Sequence, residues 1–142
     1  MHPIHPMVVH FPIALLLASL LFDLVSLRWR GAEFRATSLS LLALGVLATV
    51  VALLTGHLAE DAAEHSGKIP KQAIETHEEL AFAAFWVFAG LLGLKTLSYG
   101  GWMREQSLLV LFLGVGGSVL LLVASYYGGE LVYRYGAGVL AR

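Results

Sequence analysis

The residues in this chain with the clearest chemistry are its six histidines, and the chain has no cysteine. His2, His5 and His10 precede or open the first apolar segment, His57 and His65 follow the second, and His77 opens the third. If consecutive segments run antiparallel, all six gather at one end of the bundle. Neutral imidazole ligates both haem iron and transition metals, so the clustering points to a haem or metal site. Without cysteine the chain holds no disulfide, iron–sulfur cluster or thiolate ligand.

His10 and His77 are the leading ligand candidates. Ionisable groups inside membrane-spanning helices are rare and mark pairing or function. Each of the two stands near the start of an apolar segment and over two alanines at helical spacing, Ala14 and Ala18 for His10, Ala81 and Ala84 for His77. Small residues beneath an imidazole leave room for a flat macrocycle, although they also serve ordinary helix packing. The expected function is therefore a membrane-bound b-type haem protein with bis-histidine ligation by His10 and His77. Phe11, Phe82, Phe85 and Trp86 would wall the ring, and Arg134 is available to a propionate. Two axial histidines leave no open iron position, which favours electron transfer over oxygen chemistry.

Two alternatives come from other classes. One is a zinc or copper site of His10, His57 and His77, supported by Glu60 or Asp61; on a continuous helix His57, Asp61 and His65 would align, with Glu60 and Glu64 alongside. The other is a cofactor-free accessory subunit of a larger respiratory or transport complex. His2, His5 and His65 read most simply as solvated or backbone-bonded imidazoles. Asp23, an acid inside a spanning segment close to Arg28 and Arg30, is expected to make a structural hydrogen bond or ion pair, with a proton path as the alternative.

The elements that must position these groups are apolar. Hydrophobic residues are 58% of 142 and charged residues 13%, and mean hydropathy is +0.76, outside the soluble range. Four stretches approach the ~20 residues that cross a bilayer: Met7 to Leu27, Thr37 to Leu58, Leu80 to Tyr99, and Ser107 to Tyr127. They are apolar nearly all round rather than on one stripe. The expected fold is all-α, a single integral membrane four-helix antiparallel bundle over residues 1–142, with helices at about 7–27, 37–58, 80–99 and 107–127. Residues 128–142, glycine-rich but apolar, read as a short C-terminal segment on the membrane surface, its tyrosines forming an interfacial belt. The polar stretch from Ala59 to Thr76 reads as the bundle's one substantial loop, with Pro70 opening the helix after it. The first segment lacks a basic start and a cleavage site, so it is expected to be retained.

Basic residues near the segment ends divide into Arg28, Arg30, Arg35, Lys95 and Arg104 on one side and Lys68, Lys71, Arg134 and Arg142 on the other. The compact first loop places the former in the cytoplasm, leaving both termini and the histidines periplasmic in a bacterial inner membrane. Expected partners are membrane lipid and either a redox partner or a larger membrane complex, with homo-oligomerisation left open. Catalysis has little support, since no Ser–His–Asp order, phosphate loop, HExxH run or nucleotide fingerprint occurs. The chain lacks the broken-helix pair of a secondary transporter. A net charge of −1 without a basic stripe argues against nucleic acid.

The opening His5-Pro6-Met7-Val8-Val9-His10-Phe11-Pro12-Ile13, Asp23, Thr55-Gly56, His77, and the closing Gly129-Glu130-Leu131-Val132-Tyr133 with Gly136 and Gly138 together resemble the DUF2231 family of predicted bacterial membrane proteins. The resemblance spans nearly the whole chain. It implies a four-helix membrane fold and draws attention to His10 and His77, but carries no settled activity. The family pattern after the second helix has Gly-Leu-hydrophobic-Asp where this chain has Gly56-His57-Leu58-Ala59, so His57 departs from it.

Overall fold

The computed structural model describes residues 4–29, 31–65, 69–102 and 107–137, without the side chains of 61–65 and 107. His2, Arg30, Lys68, Arg104 and Arg142 lie outside the described residues, as do the side chains of Asp61, Glu64 and His65. The chain forms α1 (Ile4–Val8), α2 (His10–Trp29), α3 (Ala32–His65), α4 (Lys71–Tyr99) and α5 (Ser107–Tyr133). α1 and α2 make one spanning unit, so four helices are long and apolar enough to cross a membrane.

Pro12 explains the break between α1 and α2. It has no N–H to give the Val8 carbonyl and its ring crowds that turn, so Val9 interrupts the helix while the Val9 N–H still donates to the His5 carbonyl at 3.1 Å. The helical turn before the break carries His5 into the bundle, further towards the N-terminus than the segment starting at Met7 suggested.

α3 continues past Leu58 to His65, and α4 starts directly after Pro70, so the broad loop between Ala59 and Thr76 shrinks to its middle. The C-terminal end also differs from the sequence expectation. Residues 128–133 continue α5 instead of lying apart on the surface. Gly128 and Gly129 survive there because the neighbouring helices hold the backbone, and the helix stops at Gly136, φ +73°. The Gly136 N–H donates to Val132 O at 3.0 Å and the Ala137 N–H to Leu131 O at 2.8 Å, nested bonds that use carbonyls of the last helical turn.

Helices pack in the order α2, α3, α4, α5 around a square. α2 packs chiefly on α3 and α4 on α5, whereas the diagonal pairs bring no Cα atoms within 8 Å among the described residues. The inner stripes are Pro12, Leu16, Ser19 and Asp23 on α2; Ser38, Leu42, Val46, Thr49 and Ala52 on α3; Ile74, Ala84, Phe88, Leu91 and Lys95 on α4; and Val110, Ser118, Leu121 and Ala124 on α5. Spacings of three and four keep each set on one face. Leu16, Leu42, Ala84, Phe88 and Leu91 fill the centre.

The outer surface is apolar. Leu21, Leu24, Leu44, Leu47, Leu54, Phe112, Val119 and Leu122 are all exposed, a continuous hydrophobic girdle unsuited to water. Trp29, Tyr99 and Trp102 at one end and Tyr126 and Tyr133 at the other are also exposed, as expected of aromatic belts at the two interfaces. The protein is an integral membrane protein in contact with lipid.

Candidate functional site

Two polar layers interrupt the apolar axis. One occupies the histidine end. His5 of α1 and His77 of α4, both half-buried, bring their ring centroids to 6.3 Å at an interplanar angle of 72°. The Nδ1 of His77 lies 2.9 Å from the Ala124 carbonyl oxygen of α5. A carbonyl can only accept, so Nδ1 donates there and Nε2 lies outside that bond.

His5 is held by a comparable relay. Its Nδ1 lies 3.2 Å from Thr55 Oγ1, and that hydroxyl donates to the Ala52 carbonyl at 3.0 Å. Through Thr55 the His5 ring is tied to α3 on the side of its Nδ1. Hydrogen bonds of this kind, orienting the far nitrogen of an imidazole, are the usual support of metal-ligating histidines.

Glycines make room for both rings. A Cβ at Gly56 would come within 3.0 Å of His5 Cε1, and one at Gly128 within 2.8 Å of His77 Cε1. Gly56 and Gly128 thus let α3 and α5 approach the imidazoles more closely than a residue with a Cβ would without displacing a ring.

The structure distributes the nominated residues unevenly. His77 faces the axis with Ala84 buried in the core and Ala81 half-buried below it. His10 and Ala14 are exposed, and Ala18 is half-buried. The ring found beside His77 is therefore that of His5, which the sequence reading had treated as solvated or backbone-bonded. Pro12 and the helical turn before it account for the change of register. Phe11, Phe82 and Trp86 are exposed to the lipid side, and Phe85 stacks edgewise on Trp86 at 5.1 Å. Arg134 is paired with Glu130 at 3.2 Å and lies 5.5 Å from the Tyr135 ring. His57 is exposed, with Nδ1 3.2 Å from Glu60 Oε2.

The second layer, at the opposite end, is fully closed. Lys95 Nζ of α4 donates to Asp23 Oδ1 at 2.6 Å, to Asp23 Oδ2 at 2.9 Å and to Ser38 Oγ at 2.5 Å. Ser38 Oγ lies 2.7 Å from Asp23 Oδ1 and 2.9 Å from the Ser19 carbonyl, while Ser19 Oγ donates to the Ser38 carbonyl at 3.0 Å. Asp23, Lys95, Ser19 and Ser38 are all buried. Asp23 thus makes the structural ion pair and hydrogen bond expected of it, with Lys95 and Ser38 as partners, and the Lys95 side chain crosses the diagonal of the bundle. Arg28 is exposed at the helix end, while Asp23 faces inward. A recess of about 240 Å³ between α3 and α4, lined by Arg35, Leu39, Lys95, Ser98 and Tyr99 among others, adjoins this layer.

Sequence reasoning missed Lys95 by treating it as a charge at a helix end. The signal was present: Ile74, His77, Ala81, Ala84 and Phe88 share one stripe, and continuing it by three and seven residues reaches Leu91 and Lys95.

No curated protein and no solved structure matches the chain. The family model of DUF2231, described as a predicted membrane protein, matches residues 1–141. That span takes in every helix and both polar layers, and the chain belongs to the DUF2231 family of predicted membrane proteins.

Proposed function

We propose that this protein binds haem b between His5 and His77 and carries electrons at one face of the membrane. The supporting observation is the pair of imidazoles at 6.3 Å, each held by the protein through its Nδ1. Two imidazoles bonded to one metal from opposite sides at ~2 Å place their ring centres about 6 Å apart. The donor set also favours haem over a bare ion. Zinc takes four ligands, and among the described residues the pair has no third nitrogen or carboxylate beside it, whereas haem supplies its own equatorial nitrogens.

Haem so held would supply a one-electron couple with both axial positions filled. The chain's own residues fix the ring orientations through Ala124 and Thr55 and surround them with apolar helix. In this reading the histidine end faces the periplasm and the Arg28 and Arg35 end the cytoplasm of a bacterial inner membrane, following the compact basic first loop. Electrons would then be exchanged with a redox partner at the periplasmic face.

The test is the visible spectrum of the purified protein, oxidised and dithionite-reduced. A Soret band with sharp reduced α and β bands, lost in His5→Ala and in His77→Ala but kept in His10→Ala, is the expected result. A protein expressed with adequate haem supply yet colourless would overturn the reading and leave a cofactor-free accessory subunit. A band lost only in His10→Ala would return the ligand to the position first read from the sequence.

A further inference from the structure

At the mouth of the bundle, outside the imidazole pair, a second set of ligand-type side chains converges. His57 and Glu60 stand one turn apart on α3, and Glu78 comes from α4. One ligand atom from each lies within 4.8 Å of the others. Glu60 and Glu78 are half-buried. His57 Nδ1 is 3.2 Å from Glu60 Oε2, and among the described residues no cation pairs with Glu78.

Two carboxylates drawn together from different helices repel unless a positive charge lies between them. A divalent cation at this point supplies two. Ligand atoms bound at ~2.1 Å to one cation lie about 3 to 4 Å apart, so closing the set needs only small rotations of side chains at an accessible surface. One nitrogen and two carboxylate oxygens, with room for water, make the open three-ligand set that zinc and neighbouring divalent metals accept.

We infer that His57, Glu60 and Glu78 form a site for a divalent first-row cation, zinc foremost, that joins α3 to α4 at the histidine end. It shares no ligand with the His5 and His77 pair and does not depend on haem being bound. Glu78 directly follows His77 in the chain, so a cation there also anchors the turn of α4 that carries that imidazole.

The experiment is zinc titration of the chelator-stripped, full-length protein in detergent by calorimetry, with the visible spectrum recorded on the same samples. Expected is one zinc per chain, weakened at least about ten-fold by Glu78→Gln and by His57→Ala, and a zinc-dependent rise in melting temperature that both variants lose. Glu78→Gln keeps shape and helical character, so its effect reports ligation rather than misfolding. Absence of zinc binding, or binding unchanged in both variants, overturns the site. His5→Ala together with His77→Ala should remove any Soret band and leave zinc binding intact, which separates failure of this site from failure of the haem reading.

Discussion

The two polar layers sit at opposite ends of one axis and differ in what they leave unspent. In the Asp23–Lys95 layer every donor of the ammonium is used, both carboxylate oxygens accept from it, and the two serines close the remaining bonds. In the His5–His77 layer each ring is bonded through Nδ1, to Thr55 and to the Ala124 carbonyl oxygen. Polar groups within a membrane need a reason. The first layer has its reason inside itself, as a tie between α2 and α4. The second layer keeps one nitrogen of each ring outside those bonds, and this is why the proposed function is placed there.

The spacing makes the comparison sharper. Asp23 follows His5 by 18 residues and Lys95 follows His77 by 18, which is five turns of helix and about 27 Å. Each diagonal element therefore presents one residue to each layer from the same inner face.

Breaking the charged layer should give the largest effect on stability. Lys95→Ala leaves Asp23 buried without its cation and should destabilise the bundle by about 3 to 5 kcal/mol, measured by thermal or denaturant unfolding in detergent. The double variant Asp23→Leu with Lys95→Met should recover most of that loss, since an apolar pair of similar size is often as stable as a buried ion pair. If the double variant remains as unstable as the single one, the layer does more than hold the helices.

At the histidine end the expected stability effects are smaller and the cofactor effects larger. Gly128→Ala forces a methyl against His77 and should cost about 1 to 3 kcal/mol, with the Soret band shifted or lost. An unchanged spectrum would show that the close approach of α5 is not needed to orient the ring. Thr55→Val removes the hydrogen-bond partner of His5 Nδ1 and should cost about 1 kcal/mol in stability, while weakening haem binding about ten-fold by haem titration. His10→Ala, on the outer surface, should stay within about 0.5 kcal/mol of wild type and leave the spectrum unaltered.

The four spanning helices were legible because length and hydropathy suffice to identify them, and the gathering of histidines at one end followed from antiparallel connection. The register of the first helix was not legible. Reading Pro12 as part of a starting turn set His10 over Ala14 and Ala18, when the inward stripe is Pro12, Leu16, Ser19 and Asp23 with His5 a further seven residues back from Pro12. A helix apolar all round has almost no periodic signal to show which side faces protein and which faces lipid, so small-residue stripes on the lipid face resemble those on the inner one. The serines were hidden for a related reason: Ser19 and Ser38 are weakly polar among many apolar neighbours, and only the approach of α2 to α3 shows that they bond each other. The continuation of α5 through Gly128 and Gly129 depended on the tertiary contact with His77, which local helix propensity does not contain.

The diagonal ion pair also dictates an order of biogenesis. Asp23 and its serine partner belong to the α2–α3 hairpin, which leaves the ribosome first, whereas Lys95 arrives only with α4. Until then the nascent hairpin carries an unmatched carboxyl group in a lipid-embedded helix, at a penalty of about 2.5 to 3.5 kcal/mol for an ionised acid at the bilayer centre and less near the interface. The charge of the first hairpin is therefore matched only when the third spanning helix joins it.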